Sequence, residues 1–323
     1  MKISYRNLKE RINLRKFLNT FGMLIVLILI MIAFGLLSPV FWSLNNLINI
    51  LRQVSIVGVC SVGMAMVIIV GGIDLSVGST VAVSGIVAAI AMKTGVIPPV
   101  VAVLISLAVG LAVGLFNAFI INEFDLPPFV ATLGTMSMLR GVAYLVTGGY
   151  PVFGFPSSYT VLGQGNLGFI PIPVIVMLAV FALGVFIMNS TRWGRYIYGV
   201  GGNQDASRLS GVSPKKIRYF VYTFNGILTA LAGTVLLSRV NSATPSAGTG
   251  YEMDVITAVI LGGVSMSGGE GNILGVLVGV IIMGVLVNGM TLLNVNEYWQ
   301  LVVKGGVLIL AVILDRLSKR QKN

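Results

Sequence analysis

Two glycine-broken segments hold much of the polar chemistry of this chain: Gly71-Gly72-Ile73-Asp74-Leu75-Ser76-Val77-Gly78-Ser79 and Gly262-Gly263-Val264-Ser265-Met266-Ser267-Gly268-Gly269-Glu270. Each follows an apolar run and leads into another. Glycine permits the unwound backbone that a break inside an apolar helix requires; the alternative is a pair of glycine-rich turns. Asp74 sits at the first break, where its carboxylate can cap the next helix at Ser76 or Val77. Bond-breaking chemistry is not indicated. The chain has no histidine, so no Ser/His/Asp triad can form. No G-x-S-x-G elbow, paired carboxylates or G-x-x-x-x-G-K-[ST] phosphate loop occurs. The chain is read as a non-enzyme that does not hydrolyse ATP through a phosphate loop; no metal site is expected.

The remaining candidates suit hydrogen bonding. Arg140 lies inside an apolar run with Tyr144 one turn later on the same face. An Arg at mid-membrane should face protein or water, which makes it a pathway or gate residue, a snorkelling side chain or a structural partner. Asn117, Asn225 and Asn288 lie in or near apolar runs, where amides bond either solute hydroxyls or neighbouring helices. Gly110-x-x-x-Gly114 and Gly275-x-x-x-Gly279 permit close helix approach. A polar loop reads Gly201-Gly202-Asn203-Gln204-Asp205-Ala206-Ser207-Arg208-Leu209-Ser210-Gly211-Val212. Asn203 and Asp205 supply helix-start chemistry, and Gly211 a stop. The loop is either a docking knob for a cytosolic partner or simply solvated.

The elements that position these residues follow from composition. Of 323 residues, 56% are hydrophobic and 10% charged, with a mean hydropathy of +0.97. Soluble domains carry about 25% charge, so the expected class is an all-α, polytopic transmembrane bundle. The chain reads as a single transmembrane domain, 1–323. Ten crossings are expected at 19–37, 52–71, 75–93, 97–121, 128–147, 171–189, 219–240, 253–265, 272–293 and 298–315. The eighth is short and glycine-ended, which suits a broken or half-crossing helix. Residues 44–51 read as an amphipathic stretch along the interface.

The net charge of +11 is concentrated in the basic tail 1–18, the loop 190–218 and the end of the chain. Such clustering marks the cytoplasmic side rather than a nucleic-acid surface. An even number of crossings puts both basic termini and loop 190–218 inside; the outer loop 148–170 carries no Lys or Arg. Trp42, Tyr150, Tyr159, Tyr251, Tyr298 and Trp299 fall near outer ends, and Trp193, Tyr196 and Tyr219 near inner ends. The single cysteine, Cys60, excludes an intrachain disulfide. Aligning Gly71 with Gly262 also pairs Gly72 with Gly263, Ser76 with Ser267 and Gly78 with Gly269, a weak internal repeat.

Several motifs together resemble the ribose-type sugar ABC importer permeases. They are Arg195-Tyr196-Ile197-Tyr198 with the 201–212 loop, Gly72 to Gly78, Leu139-Arg140-Gly141, Thr249 to Asp254, Leu261 to Ser265, Tyr298-Trp299-Gln300 and Leu314-Asp315. Asp205 stands where the family often has glutamate. The resemblance implies a multi-pass bacterial inner-membrane permease that works as a dimer with a second permease copy. It implies a cytosolic ABC ATPase, which binds ATP and magnesium, and an extracytoplasmic sugar-binding protein. It implies that Asn203 to Val212 form the coupling helix and that the solute is a monosaccharide such as ribose. The furanosyl autoinducer, a nucleoside, a branched-chain amino acid or another small polar solute on the same scaffold are alternatives, as is an ion-coupled symporter.

Overall fold

A backbone in lipid must satisfy its own hydrogen bonds, so apolar runs of bilayer length fold as helices. The computed structural model describes residues 22–93 and 95–320; the tail 1–18, where the predicted N-terminal charge lies, is outside the described residues. The first helix is α1 (Gly22–Leu37). It is followed by α2 (Leu44–Ile69), α3 (Val77–Lys93), α4 (Pro99–Glu123) and α5 (Pro128–Thr147). Next come α6 (Ser157–Gln164), α7 (Ile172–Ser190), α8 (Arg192–Gly202) and α9 (Gln204–Leu209). The chain continues through α10 (Pro214–Val240), α11 (Tyr251–Leu261), α12 (Ile273–Leu292) and α13 (Glu297–Arg320). Between α6 and α7, β1 (Asn166–Leu167) pairs antiparallel with β2 (Ile170–Pro171). Among the described residues, 6 helices are long and apolar enough to cross a bilayer: α2, α4, α5, α7, α10 and α12. The fold is an all-α polytopic membrane protein.

Burial sorts the helices. From Val54 to Ile69 nearly every side chain of α2 is buried, so this helix is apolar on all sides and central. It packs against α7, α10, α11 and α12, while α10 also packs against α3 and α4. The α4–α10 approach is backbone to backbone: a Cβ on Gly110 would overlap the Gly226 carbonyl oxygen, and one on Gly226 the Gly110 carbonyl oxygen. The sequence marked Gly110 and Gly114 for such packing, and here small residues let two helices touch without intervening side chains. The opposite faces are greasy and open. Leu104, Phe116, Phe119, Leu145, Ile309 and Leu310 are all exposed, as a lipid-facing rim requires.

Several expectations change. Residues 44–51 are not a separate interfacial stretch but the first turns of α2, capped by Ser43, whose hydroxyl accepts the Asn46 N–H at 3.3 Å. Their amphipathic look arises because Asn46 and Ile50 are buried while Leu44 faces out. The eighth predicted crossing, by contrast, agrees with its reading as a broken or half-crossing helix: it is α11, 11 residues long. At about 1.5 Å per residue it falls well short of a bilayer of about 30 Å. Loop 148–170, expected outside, contains α6 and β1, and loop 190–218 contains α8, none of these elements foreseen.

The two breaks end their helices alike, with the stop that also closes α9 at Gly211 and Val212, but not in the register of the sequence alignment. The Gly71 N–H bonds to Ile68 O at 2.9 Å and Gly72 N–H to Val67 O at 2.8 Å. At the second break, Gly263 N–H bonds to Ile260 O at 2.9 Å and Val264 N–H to Val259 O at 3.2 Å. The left-handed residues are Gly71 (φ 90°) and Gly263 (φ 85°). Structure therefore pairs Gly71 with Gly263, one residue away from the sequence alignment. The αL residue that ends a helix is the first glycine of one pair and the second of the other.

Candidate functional site

Loop 190–218 is built as a helix, a sharp corner and a knob. Thr191 caps α8 by accepting the Gly194 N–H at 3.4 Å. Asn203 ends α8 and caps α9, its Oδ1 accepting the Ala206 N–H at 2.8 Å. After α9, Gly211 turns at φ 81° and the Val212 N–H closes onto Ser207 O at 3.0 Å. Ser207 is the one buried side chain on α9; Gln204, Asp205, Ala206, Arg208, Leu209, Ser210 and Gly211 are exposed. Leu209 is 89% exposed, an apolar tip standing clear of the described residues. Arg218 of α10 donates to Gln204 Oε1 at 2.7 Å and steadies the knob from the side.

The inner end of α8 meets both glycine breaks. Gly269 N–H donates to Ile69 O, the last residue of α2, at 2.8 Å. A Cβ on Gly201 would overlap that same Ile69 oxygen and lie 2.7 Å from Gly269 N, and one on Gly269 would lie 2.7 Å from Gly202 Cα. Three backbones thus share a seam free of side chains: the end of α2, the end of α8 and the second break. Tyr198 of α8 adds a hydroxyl bond to Gly271 O at 2.8 Å. Asn203 is the residue after the seam, so the knob is attached directly to it. Of the predicted glycines, Gly262 packs on α12, where a Cβ would lie 2.5 Å from Val276 Cα. Gly78 packs on the 241–250 loop: a Cβ there would overlap the Gly248 carbonyl oxygen. A Cβ on Gly72 would overlap the Tyr222 hydroxyl.

A buried polar joint holds the first break. Asp74 Oδ1 accepts the Ser76 N–H at 2.9 Å and the Ser76 hydroxyl at 2.6 Å. Its Oδ2 accepts from Asn225 Nδ2 at 2.8 Å, and Asn117 Nδ2 donates to Ser76 Oγ at 3.0 Å. Thr132 bridges α5 to the break, donating to Ile73 O at 3.1 Å and accepting the Leu75 N–H at 3.1 Å. The Asp74 cap matches the sequence reading. Two predicted pathway residues, Asn117 and Asn225, are fully buried in this joint and tie α4 and α10 to it. Asn288 lies elsewhere: it exchanges amide bonds with Asn46 at 2.9 and 3.1 Å, joining α12 to α2.

Arg140 and Tyr144 lie toward the 241–250 loop side. Arg140 donates to Pro245 O at 2.5 Å and Ala247 O at 2.9 Å, holding the segment between α10 and α11. Tyr144 is exposed. Sequence reading missed a cavity of about 110 Å³ among α2, α11, α12 and α13, with Gln53, Thr249, Tyr251, Asp254 and Lys304 on its walls beside apolar residues such as Val54, Val280 and Met283. Lys304 Nζ pairs with Asp254 Oδ2 at 2.8 Å, and both are nearly buried. The available signal was Lys304 itself, a charge in an apolar run that needs a named partner. No group of His, Cys, Asp and Glu that could hold a metal occurs among the described residues.

The family described as branched-chain amino acid transport system / permease component matches residues 46–312. The ribose import permease protein RbsC of Escherichia coli (strain K12) is 45% identical over 302 residues, 92% of this chain and 93% of that protein. RbsC of Bacillus subtilis (strain 168) is 41% identical over 310 residues, 95% of this chain and 96% of its own. The D-allose transport system permease protein AlsC of Escherichia coli (strain K12) is 38% identical over 313 residues, 97% and 96% of the two chains. No solved structure matches.

Proposed function

The chain belongs to the branched-chain amino acid transport system / permease component family, and from that premise we propose that it is the ribose-translocating subunit of an ATP-driven importer. It is a transport component of the bacterial inner membrane and not an enzyme. The observation that carries the solute assignment is the 45% identity to a ribose import permease over 92% of the chain. Identity to the allose permease is 38% and to the xylose permease XylH of Haemophilus influenzae 33%. The family implies an ATPase and a solute-binding protein as partners. A homodimer of this chain, ten crossings and cytoplasmic termini are parts of the same proposal.

Energy enters through α9 in this reading. The exposed Leu209 and the charged pair Asp205 and Arg208 suit insertion into a cytosolic ATPase. Displacing α9 moves Gly201 and Gly202, and the seam passes that movement to the end of α2 and to the second break. Backbone against backbone transmits it stiffly, because no side chain is there to change rotamer. The two breaks then act as the joints at which α2 and α3, and α11 and α12, change angle. Arg140 and Tyr144 border the solute route at the opposite end. Asn117, Asn225 and Asn288 act as ties that keep the helices in register between access states.

Reconstitution tests the proposal. Vesicles holding this chain, its ATPase and its binding protein should take up labelled ribose only with ATP inside the ATPase compartment. Uptake of allose or xylose in place of ribose would reassign the solute. Uptake driven by a sodium or proton gradient without the ATPase would overturn the energy source.

A further inference from the structure

A groove runs from the basic end of α8 onto the apolar flank of α10. Its polar half, about 350 Å³, is lined by Arg192, Tyr196, Ser213 and Lys216 among others. Its apolar half, also about 350 Å³, is lined by Phe220, Phe224 and Ile227. Trp193 and Lys216 line both halves, so the two are continuous. The floor is aromatic and ordered: Trp193 stacks on Phe220 at 4.4 Å between ring centroids, and Phe220 on Phe224 at 5.9 Å.

The cations are placed where their own helices disfavour them. Arg192 and Arg195 sit in the first turn of α8, and Lys215 and Lys216 in the first turn of α10. Helix starts favour anions, and neither helix has an acidic residue in its first turn. Lys215 is balanced by Glu123 at 3.1 Å. Arg192 and Lys216 form no ion pair among the described residues and are exposed.

We propose that this groove binds one anionic phospholipid, its phosphate between Arg192 and Lys216 and an acyl chain along Phe220, Phe224 and Ile227. Charge and shape select this occupant. A phosphodiester complements two unpaired cations, and basic pockets between membrane helices recognise anionic headgroups. A chain of methylenes fits an apolar slot that begins at the headgroup and runs along a membrane helix. The chain's own basic ends do not complement it, since positive charge would meet positive charge. Gly211 and Val212, just after α9, also line the polar half, so the lipid would brace the knob from that side. This inference rests on the membrane placement of the chain and not on the solute assignment.

Trp193 is a built-in reporter, one of 3 tryptophans. The full chain carrying Trp42→Phe and Trp299→Phe would be placed in phosphatidylcholine vesicles. These would contain either brominated phosphatidylglycerol or brominated phosphatidylcholine at equal mole fraction. Quenching of Trp193 should be stronger with the anionic lipid, with a preference on the order of tenfold from two basic side chains at the surface. The preference should vanish in Arg192→Gln/Lys216→Gln and survive in Arg192→Lys/Lys216→Arg, which separates lost charge from lost fold. Equal quenching by both lipids would overturn the proposal. So would a Trp193 shielded from both, the result expected if a second copy of this chain fills the groove. Native mass spectrometry of the unaltered chain gives an independent reading: retained phosphatidylglycerol supports the site, and retention that the double Gln variant leaves unchanged refutes it.

Discussion

Asp74 shows how much one side chain holds at the first break. Its carboxylate takes three donors, from the Ser76 backbone, the Ser76 hydroxyl and the Asn225 amide. Asp74→Ala leaves those buried donors unmade, at about 1–3 kcal/mol for an unsatisfied group. A clear fall in thermal stability in detergent micelles is the expected readout. Asp74→Asn should fall less, since Asn225 Oδ1 has no partner among the described residues and its amide can turn to accept from the new side chain. Equal losses in the two variants would argue that the charge, and not the bonding pattern, matters there. Asn46 and Asn288 allow a cleaner measurement. Each alanine variant should cost about 0.6–1.7 kcal/mol, the range for bonds between membrane helices. The double variant should cost little more than Asn46→Ala alone, because the reciprocal pair is lost once and Asn46 also gives up its bond to Phe41 O at 2.9 Å. Additive losses would show that the two amides act independently.

At the scale of elements, the seam and the knob make separable predictions. Any side chain on Gly201 must push α8 away from the end of α2. Gly201→Val should therefore destabilise the bundle by about 1–3 kcal/mol, the usual range for overpacking. It should also reduce ATP hydrolysis linked to transport more than basal hydrolysis. Tyr198→Phe removes one hydroxyl bond to Gly271, about 0.5–1.5 kcal/mol, and should shift the same ratio mildly. On the knob, Asp205→Lys with Arg208→Glu reverses two exposed charges and should lower solute-stimulated ATP hydrolysis in liposomes without changing the melting temperature. Unchanged coupling would remove α9 from the route, whereas a lowered melting temperature would make the effect structural.

For the whole molecule, the prediction concerns sidedness. Cys60 is the single cysteine and is buried, so Cys60→Ala provides a blank background. Ser210 at the end of α9 and Ser158 on α6 are both exposed. In right-side-out vesicles an impermeant maleimide should label Ser158→Cys and spare Ser210→Cys; permeabilisation should expose the second. Labelling of both from one side would invalidate the crossing count and the cytoplasmic placement of α9. The greasy outer faces of α4, α5 and α13 set the context for this experiment, because they leave the protein no stable aqueous form.

By itself the sequence determined the class and the termini of most helices. Low charge, bilayer-length apolar runs, the Pro and Ser starts and the glycine stops are local signals, and each acts within a few residues of where it is written. The Asn203 cap, the Gly211 turn and the Asp74 bond to Ser76 were legible for that reason. Only the tertiary structure decided what meets across long separations. Nothing in the neighbourhood of Asn46 announces Asn288, nor does anything near Asp254 announce Lys304, because a pairing depends on how whole helices pack. The register of the repeat depended on which glycine of each pair took the left-handed conformation, and two adjacent glycines look alike in sequence. The seam was hidden in the same way: glycine has no side chain to advertise a partner, and backbone contact between Ile69, Gly201 and Gly269 exists only once two helix ends and the second break converge.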